Sequence, residues 1–395
     1  MGYDTLEKIK YSDRDNYEKI YQERYNSSST YKYSFEVKGF KAFVVITQEV
    51  LALISDVLRL DKKLNKIQQD LPNVAKYQFT QKCLIDEIHQ SNDLEGVAST
   101  RKEIKESLDK KVPGGRFEGI VNKYELLNTN EKIPLSDCAD IRKLYDEILL
   151  DEVRKSDKED IPDGDIFRKG KVYVKDKNTG KSIHEGLYPE TKIMETMSAL
   201  LNSLKNSEYN ELVNVAVTHY MFGYIHPFYD GNGRLSRFIS SYLLSDTLEK
   251  IVSYRIAYTI KQDINSYYKI FKITNSSYNR GDLTPFTIYF LKLIKKSISE
   301  LIEYFEEKSV RLQYFIEKLF GLDKSKDYKN VLDILIQNAM FGFEGISVNE
   351  LSEILNESEY IIRKNIKLIE NDELAKKTKA KPYLYTANLA KLETV

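Results

Sequence analysis

Along most of the 395 residues, apolar side chains recur every three or four positions rather than alternately, and only 17 glycines and 8 prolines interrupt them. This periodicity predicts a mainly α-helical protein. A first helix is expected over 47–64 (TQEVLALISDVLRLDKKL) and a second over 75–95, stopped at Gly96. The VPGGR stretch at 112–116 reads as a loop, and helices resume at about 119 and over 136–153. Between 160 and 189 two short β-prone runs flank a polar Asp-Lys-Asn-Thr-Gly turn, which predicts a hairpin over about 171–186. Helices are then expected at 190–206, 211–225, 234–245, 265–277 and 284–322. The one over 211–225, ELVNVAVTHYMFGYI, is apolar almost all round and should be the buried centre of a bundle.

The polar LDKSKD segment at 322–327 reads as a linker to a separate small module. There a helix over 329–337, the segments ISVNELSEIL and SEYIIRKNIKLIEND, and the β-prone KPYLYT run helix, helix, helix, strand. Ser347 and Ser358 are placed as N-caps. This order resembles a winged helix-turn-helix over roughly the last 70 residues. Four regions are therefore expected: 1–118, an N-terminal helical part; 119–300, the core that carries the chemistry; 301–327, a connecting helix and linker; and 328–395, the winged-helix module.

Composition narrows the function. Sixty Lys and Arg balance sixty Asp and Glu, so no global field favours nucleic acid or an anionic membrane, and any such contact must be local. Cys83 and Cys138 stand apart from each other and from any His pair at ligand spacing. A disulfide framework or a cysteine-based zinc site is not expected. The opening MGYDTLEKIKYSD has no apolar core of a leader, and no run is long enough to cross a membrane. The expectation is a cytoplasmic protein. Abundant Lys, Asn, Ile and Tyr, with no Trp, hints at an AT-rich, bacterial coding source.

The chemistry concentrates in His226-Pro227-Phe228-Tyr229-Asp230-Gly231-Asn232-Gly233-Arg234-Leu235-Ser236-Arg237. Pro227 stops the preceding helix, and Phe228 is an apolar anchor that fixes where His226 points. Gly231 and Gly233 let successive backbone N–H groups converge on one anion, with Asn232 as a side-chain donor and a helix N-terminus behind them. Arg234 and Arg237 lie three residues apart on one helix face, within reach of a polyphosphate. Asp230 offers one hard oxygen ligand of the kind that holds Mg²⁺ beside phosphates. The pattern describes a nucleotide-phosphate cradle with a general base at its edge.

This segment matches HPFx(D/E)GNGRxxR and resembles the signature of Fic-domain proteins at every specified position. The resemblance implies a Fic-type helical bundle with a β-hairpin flap, moving AMP from Mg·ATP onto a hydroxyl of a target protein, or of itself, with release of pyrophosphate. It implies that His226 deprotonates the hydroxyl and Asp230 holds Mg²⁺. Asn232 with Gly231 and Gly233 would cradle the α- and β-phosphates, Arg234 the β-phosphate and Arg237 the γ-phosphate. Upstream, Ser91-Asn92-Asp93-Leu94-Glu95-Gly96 fits the (S/T)xxxE(G/N) inhibitory pattern of the same family, on the helix at about 75–96. Glu95 would take the Arg237 contact that the γ-phosphate needs, and would orient a water for removal of AMP.

Further implications of the resemblance are a flap at 171–186 that docks the target and an adenine pocket near Tyr267, Tyr268 and Asn275. His219 reads as a hydrogen-bonded core histidine, and His89 and His184 have no ligand partners. Over 328–395 nine Lys and Arg meet ten Asp and Glu, but Arg363, Lys364 and Lys367, and Lys376, Lys377, Lys379 and Lys381, form two basic clusters. Contact with DNA, with a target or with a second copy are all open for this module. The competing readings are a Fic enzyme with another nucleotide donor, and a DNA-binding regulator that uses the Fic core as a nucleotide sensor.

Overall fold

A computed structural model describes residues 2–109, 114–129, 131–175, 182–380 and 383–394. Helices α1 (Leu6–Ser12) and α2 (Tyr17–Asn26) precede a hairpin of β1 (Thr30–Val37) and β2 (Phe40–Val45). Next come α3 (Gln48–Gln69), α4 (Asn73–Glu95), α5 (Arg101–Leu108) and α6 (Glu118–Leu126). Then α7 (Cys138–Tyr145), a π-helical turn at Asp146–Leu150 and α8 (Asp151–Ser156) run without a break. A second hairpin, β3 (Tyr173–Lys175) and β4 (Ser182–Glu185), leads to α9 (Glu190–Ser203), α10 (Glu211–Ile225) and α11 (Asn232–Thr247). After α12 (Lys250–Ser253), α13 (Ile256–Gln262) and α14 (Ile264–Thr274) comes the 38-residue α15 (Thr284–Gly321). The chain ends with α16 (Lys326–Phe341), β5 (Ile346–Ser347), α17 (Val348–Leu355), α18 (Glu359–Asn371), β6 (Ala375–Ala380), β7 (Tyr383–Ala387) and α19 (Leu389–Leu392). The fold is mainly α, as the periodicity requires.

The chain divides into two compact units, Met1–Asp61 with Ile85–Ile298, and Lys62–Leu84 with Ser299–Val395. In the first, α10 is the centre: thirteen of its fifteen residues are buried, and of the rest only Glu211, at its first turn, is exposed. Its N-terminus is capped by Asn210, whose side chain accepts from the N–H groups of Leu212 and Val213. Helices α9 and α11 pack directly on it.

Residues 3–46, expected as part of the N-terminal helical region, instead form two helices and a hairpin. The signal was present: TYKYSFEV alternates strictly, and Tyr33, Phe35 and Val37 are the buried positions. The turn between β1 and β2 uses Lys38 and Gly39, both left-handed (φ 53° and 82°), the conformation that a two-residue hairpin demands. The hairpin is stitched in by Phe43, which donates its N–H to the Gly281 carbonyl and accepts from the Leu283 N–H. Beside it the fully buried Asp282 accepts from the Tyr3 hydroxyl at 2.6 Å and pairs with Arg24 at 3.3 Å.

Other expectations shift at their edges. The helix expected from 234 begins at Asn232, the helix expected over 136–153 contains the π-helical turn, and the 322–327 linker shortens because α16 starts at Lys326. The second hairpin lies where expected, with Tyr173 opposite Glu185 and Val174 opposite His184. Its Asp-Lys-Asn-Thr-Gly turn falls outside the described residues.

In the second unit α16, α17 and α18 accompany an antiparallel sheet of order β5-β7-β6. Ser347 and Glu350 close a capping box on α17, and the Ser358 side chain accepts from the Ile361 N–H at the start of α18. Two strands, β5 and β6, join the one β-prone stretch that the sequence suggested. The ring of Phe79 stacks on Tyr304 at 4.6 Å within the same unit.

Candidate active site

The site grows from the end of α10. Pro227 lacks the N–H to continue the helix, and His226 turns the chain in a left-handed conformation (φ 53°, ψ 62°), its own N–H donated to the Phe222 carbonyl. Phe228 is fully buried, stacked on Tyr145 at a centroid distance of 3.8 Å and edge-on to Phe167. Tyr145 is the last residue of α7, and Leu149 belongs to the π-helical turn beyond it. A Cβ on Gly231 (φ 79°) would come within 2.6 Å of the Leu149 side chain, so only glycine fits there. Asn232 is buried, and its amide accepts from the Phe228 N–H at 2.9 Å and donates to the Phe228 carbonyl at 2.8 Å. Asn232, expected as a phosphate donor, also closes the loop on itself.

Both arginines of the segment are buried and both are neutralised. Arg234 donates to Glu152 at 2.8 Å and to Asp230 at 3.1 Å, and Glu152, itself buried, also accepts from Arg116 at 2.9 Å. Arg237 is met by α4 instead. Its Nε donates to the Ser91 hydroxyl at 2.8 Å, and its Nη2 to the Ser91 carbonyl at 2.9 Å and to Glu95 at 3.0 Å. The Glu95 carboxylate lies over Gly233, in the first turn of α11, where any Cβ would collide with it. A negative group therefore rests on the positive end of that helix. Gly96, left-handed at φ 78°, ends α4 directly behind it.

Electrostatics follow from these neighbours. Burial alone would raise the Glu95 carboxyl, but the charge and hydrogen bond of Arg237 outweigh it and hold the group below its ordinary value. Burial pushes the His226 imidazole down to about 4, with the nearby Glu95 partly opposing and His184 and Arg168 reinforcing the shift. His226 is neutral at pH 7. Asp230 is about one-third exposed. Among the described residues no group of three or more His, Cys, Asp or Glu is placed to hold a metal.

His219 is a satisfied core histidine. The Ser240 hydroxyl donates to the Ser236 carbonyl, so the His219 Nδ1–H donates to Ser240 at 2.8 Å, and Nε2 accepts from the Tyr267 hydroxyl at 2.8 Å. Tyr267, an adenine-pocket candidate, thus spends its hydroxyl in the core, while Tyr268 is exposed beside it. Asn275, two turns on, donates to Nδ1 of His184, whose Nε2–H is donated to the Tyr224 carbonyl at 2.6 Å. His89 meets the Ser99 hydroxyl, and both cysteines are buried and form no disulfide. Sequence reasoning missed Glu152, Glu87 and Arg168. Each is a charged residue in an otherwise unremarkable stretch, and no local pattern distinguishes it from a surface charge.

Residues 135–244 match the sequence profile of the Fic/DOC family. The chain is 32% identical over 136 residues to a protein adenylyltransferase Fic of Drosophila yakuba, covering 34% of this chain and 25% of that protein. It is 26% identical over 262 residues to the protein of that name from Drosophila mojavensis, covering 64% and 48%. The chain therefore spans a quarter to about half the length of these curated relatives. In fold it is similar to a Fic family protein from Desulfovibrio desulfuricans G20, with a TM-score of 0.55 at 20% identity over 87% of this chain and 97% of that one. With the helix–loop–helix at 211–247 folded as described, this chain carries a Fic domain, homologous to that of the protein adenylyltransferases Fic.

Proposed function

We propose that this protein transfers AMP from ATP to a hydroxyl of a target protein and of itself, releasing pyrophosphate, and that Glu95 restrains the reaction. The observation that carries this reading is the juxtaposition of a neutral, rigidly placed imidazole with a helix N-terminus that already holds an anion. The α11 N-terminus, Gly231 and Gly233 would receive the phosphates, Arg234 the β-phosphate and Arg237 the γ-phosphate. A ring nitrogen of His226 takes the hydroxyl proton as the oxygen attacks the α-phosphorus, and the bond to the pyrophosphate oxygen breaks. The charge of a bound polyphosphate raises the imidazole from about 4 toward the working pH, where a general base is most effective.

Asp230 fits Mg²⁺, because a partly exposed single carboxylate beside a phosphate cradle is the usual protein share of such a site. The ion would arrive on the nucleotide and neutralise its charge. In the restrained state Glu95 occupies Arg237, so the γ-phosphate lacks its partner and the α-phosphorus is not presented in line. The same carboxylate would orient a water for removal of AMP. The hairpin of β3 and β4 would dock the target, Tyr267, Tyr268 and Asn275 would border the adenine, and 328–395 would be a winged-helix module after a core at 119–300.

The test is incubation with labelled ATP and Mg²⁺. Covalent label is expected on the protein or on lysate proteins, and His226→Ala should abolish it while nucleotide affinity stays near wild type. Label carried by another nucleotide in place of ATP would change the donor. The regulator reading has one observation in its favour, the exposed Lys364 and Lys367 on α18. It predicts salt-dependent binding to duplex DNA that weakens when both are neutralised.

A further inference from the structure

The structure assigns to Arg168 the role of a positioning residue, its guanidinium tying the left-handed backbone at His226 to both ends of the β3–β4 hairpin. Arg168 has no exposed surface at all, and among the described residues no carboxylate pairs with it. A buried, unpaired guanidinium is costly, and it persists only where its donors are otherwise satisfied. Here they go to three backbone carbonyls from three segments. Nε donates to His226 at 2.9 Å, Nη2 to Leu187 at 2.9 Å, and Nη1 to Gly170. Gly170 precedes β3 and Leu187 follows β4, so both feet of the hairpin and the histidine share one cation.

Neighbouring contacts show how closely the parts are fitted. The Leu187 N–H donates to the Ile225 carbonyl at 3.0 Å, and the Gly170 N–H to the Tyr229 hydroxyl at 2.7 Å. Gly186 is packed so tightly that a Cβ there would lie 2.6 Å from Nη2 of Arg168 and 3.0 Å from the His226 Cβ. A non-glycine residue at positive φ is strained and holds its shape only where its surroundings over-determine it. At His226 the surroundings are the helix end behind it and this fork in front. A lysine ammonium carries its three donors on one nitrogen and cannot spread them over carbonyls that the planar guanidinium reaches from three separate nitrogens. The consequence is that the His226 backbone and the two feet of the hairpin, at Gly170 and Leu187, are held in one register. The positive charge also helps keep the imidazole neutral.

This inference rests on the reading of His226 as the base, and the experiment separates the two. Arg168→Lys is compared with wild type in three measurements: nucleotide affinity by calorimetry, the rate of AMP incorporation, and the His226 imidazole by NMR in a chain with four histidines. The expected result is an affinity within about threefold of wild type, a rate lower by roughly a hundredfold, and a His226 signal that is shifted and titrates nearer to an ordinary histidine. Gly186→Ala presses on the same fork from the hairpin side. It should give the same signature, which keeps the test decisive where Arg168→Lys does not fold. An unchanged rate with an unchanged His226 signal, or equal losses of affinity and rate, would overturn the assignment. If wild type and Glu95→Gly both transfer no AMP, the base reading fails, and the His226 signal alone then decides whether Arg168 positions it.

Discussion

Arg234 and Arg237 leave one helix a single turn apart, both buried, yet their counter-charges come from different places. Arg234 is held by Glu152 and Asp230, two residues inside the stretch 135–244 that matches the Fic family. Arg237 is held by Ser91 and Glu95, some 140 residues away in sequence and outside that stretch. The surroundings differ too. Glu152 is 7% exposed and shared with a second arginine, whereas the Glu95 side chain is 26% exposed. One arginine is thus paired within the matched stretch on a buried carboxylate, and the other with a partly exposed carboxylate from outside it.

The sharpest way to break this contrast is to remove each arginine. Both Arg234→Ala and Arg237→Ala should abolish AMP incorporation. Arg234→Ala should also destabilise the fold the more, by about 1.5–3 kcal/mol, because it removes one of the two arginines from buried Glu152, which keeps Arg116. Arg237→Ala leaves a carboxylate that water can reach and should cost about 1 kcal/mol. Equal losses in denaturant titrations would erase the distinction between the two arginines.

The next test concerns what seats α4. Glu87, on the same helix and fully buried, accepts from the N–H groups of Ala257 and Tyr258 at the start of α13. Burial raises its carboxyl from 4.5 to about 7, against the opposing pull of those hydrogen bonds and of Arg237 and Arg255. The folded state then holds a proton that the unfolded chain releases. Stability should fall as pH rises from about 4.5 through about 7, by up to roughly 3 kcal/mol, and level off above. Glu87→Gln should flatten that slope in a melting series, and a slope that survives would place its origin elsewhere.

Glu95→Gly should raise incorporation about tenfold to a hundredfold, the scale of a charge-assisted contact of roughly 1.5–3 kcal/mol. It should also end any release of AMP. Incorporation equal to wild type would make Ser91 to Gly96 no more than a capped helix end. Because the Glu95 carboxyl is held below its ordinary value, the restraint should be constant from neutral pH upward and should weaken only as pH falls below about 4.5. Ser91→Ala has the smallest expected effect, a few-fold gain, since Arg237 loses one neutral acceptor but keeps the Ser91 carbonyl and Glu95. A gain as large as that of Glu95→Gly would mean that the hydroxyl, not the charge, is the lock.

Much of the site was legible because its residues are neighbours in the chain. Loop geometry between two helices is local: a proline stop, a glycine at positive φ and two arginines one turn apart are all set within the twelve residues 226–237. The helix ending at Gly96 was equally plain, with Ser91 and Glu95 one turn apart on one face. The hairpin at 30–45 was legible too, in the alternation of Tyr33, Phe35 and Val37, but no helical periodicity leads to it.

The amino-acid sequence alone determined the helical class and the loop at 226–237, whose proline, glycines and arginines resemble the Fic signature. Tertiary structure decided which charges meet. Nothing near Glu152 marks it as the partner of Arg234, nothing near Arg168 marks it as a clamp on His226, and Glu95 reaches Arg237 across more than a hundred residues of chain. The physical reason is that a charged side chain looks alike in sequence whether it ends in water or in the core. Its cost and its role are set by the dielectric and the partners that folding brings to it.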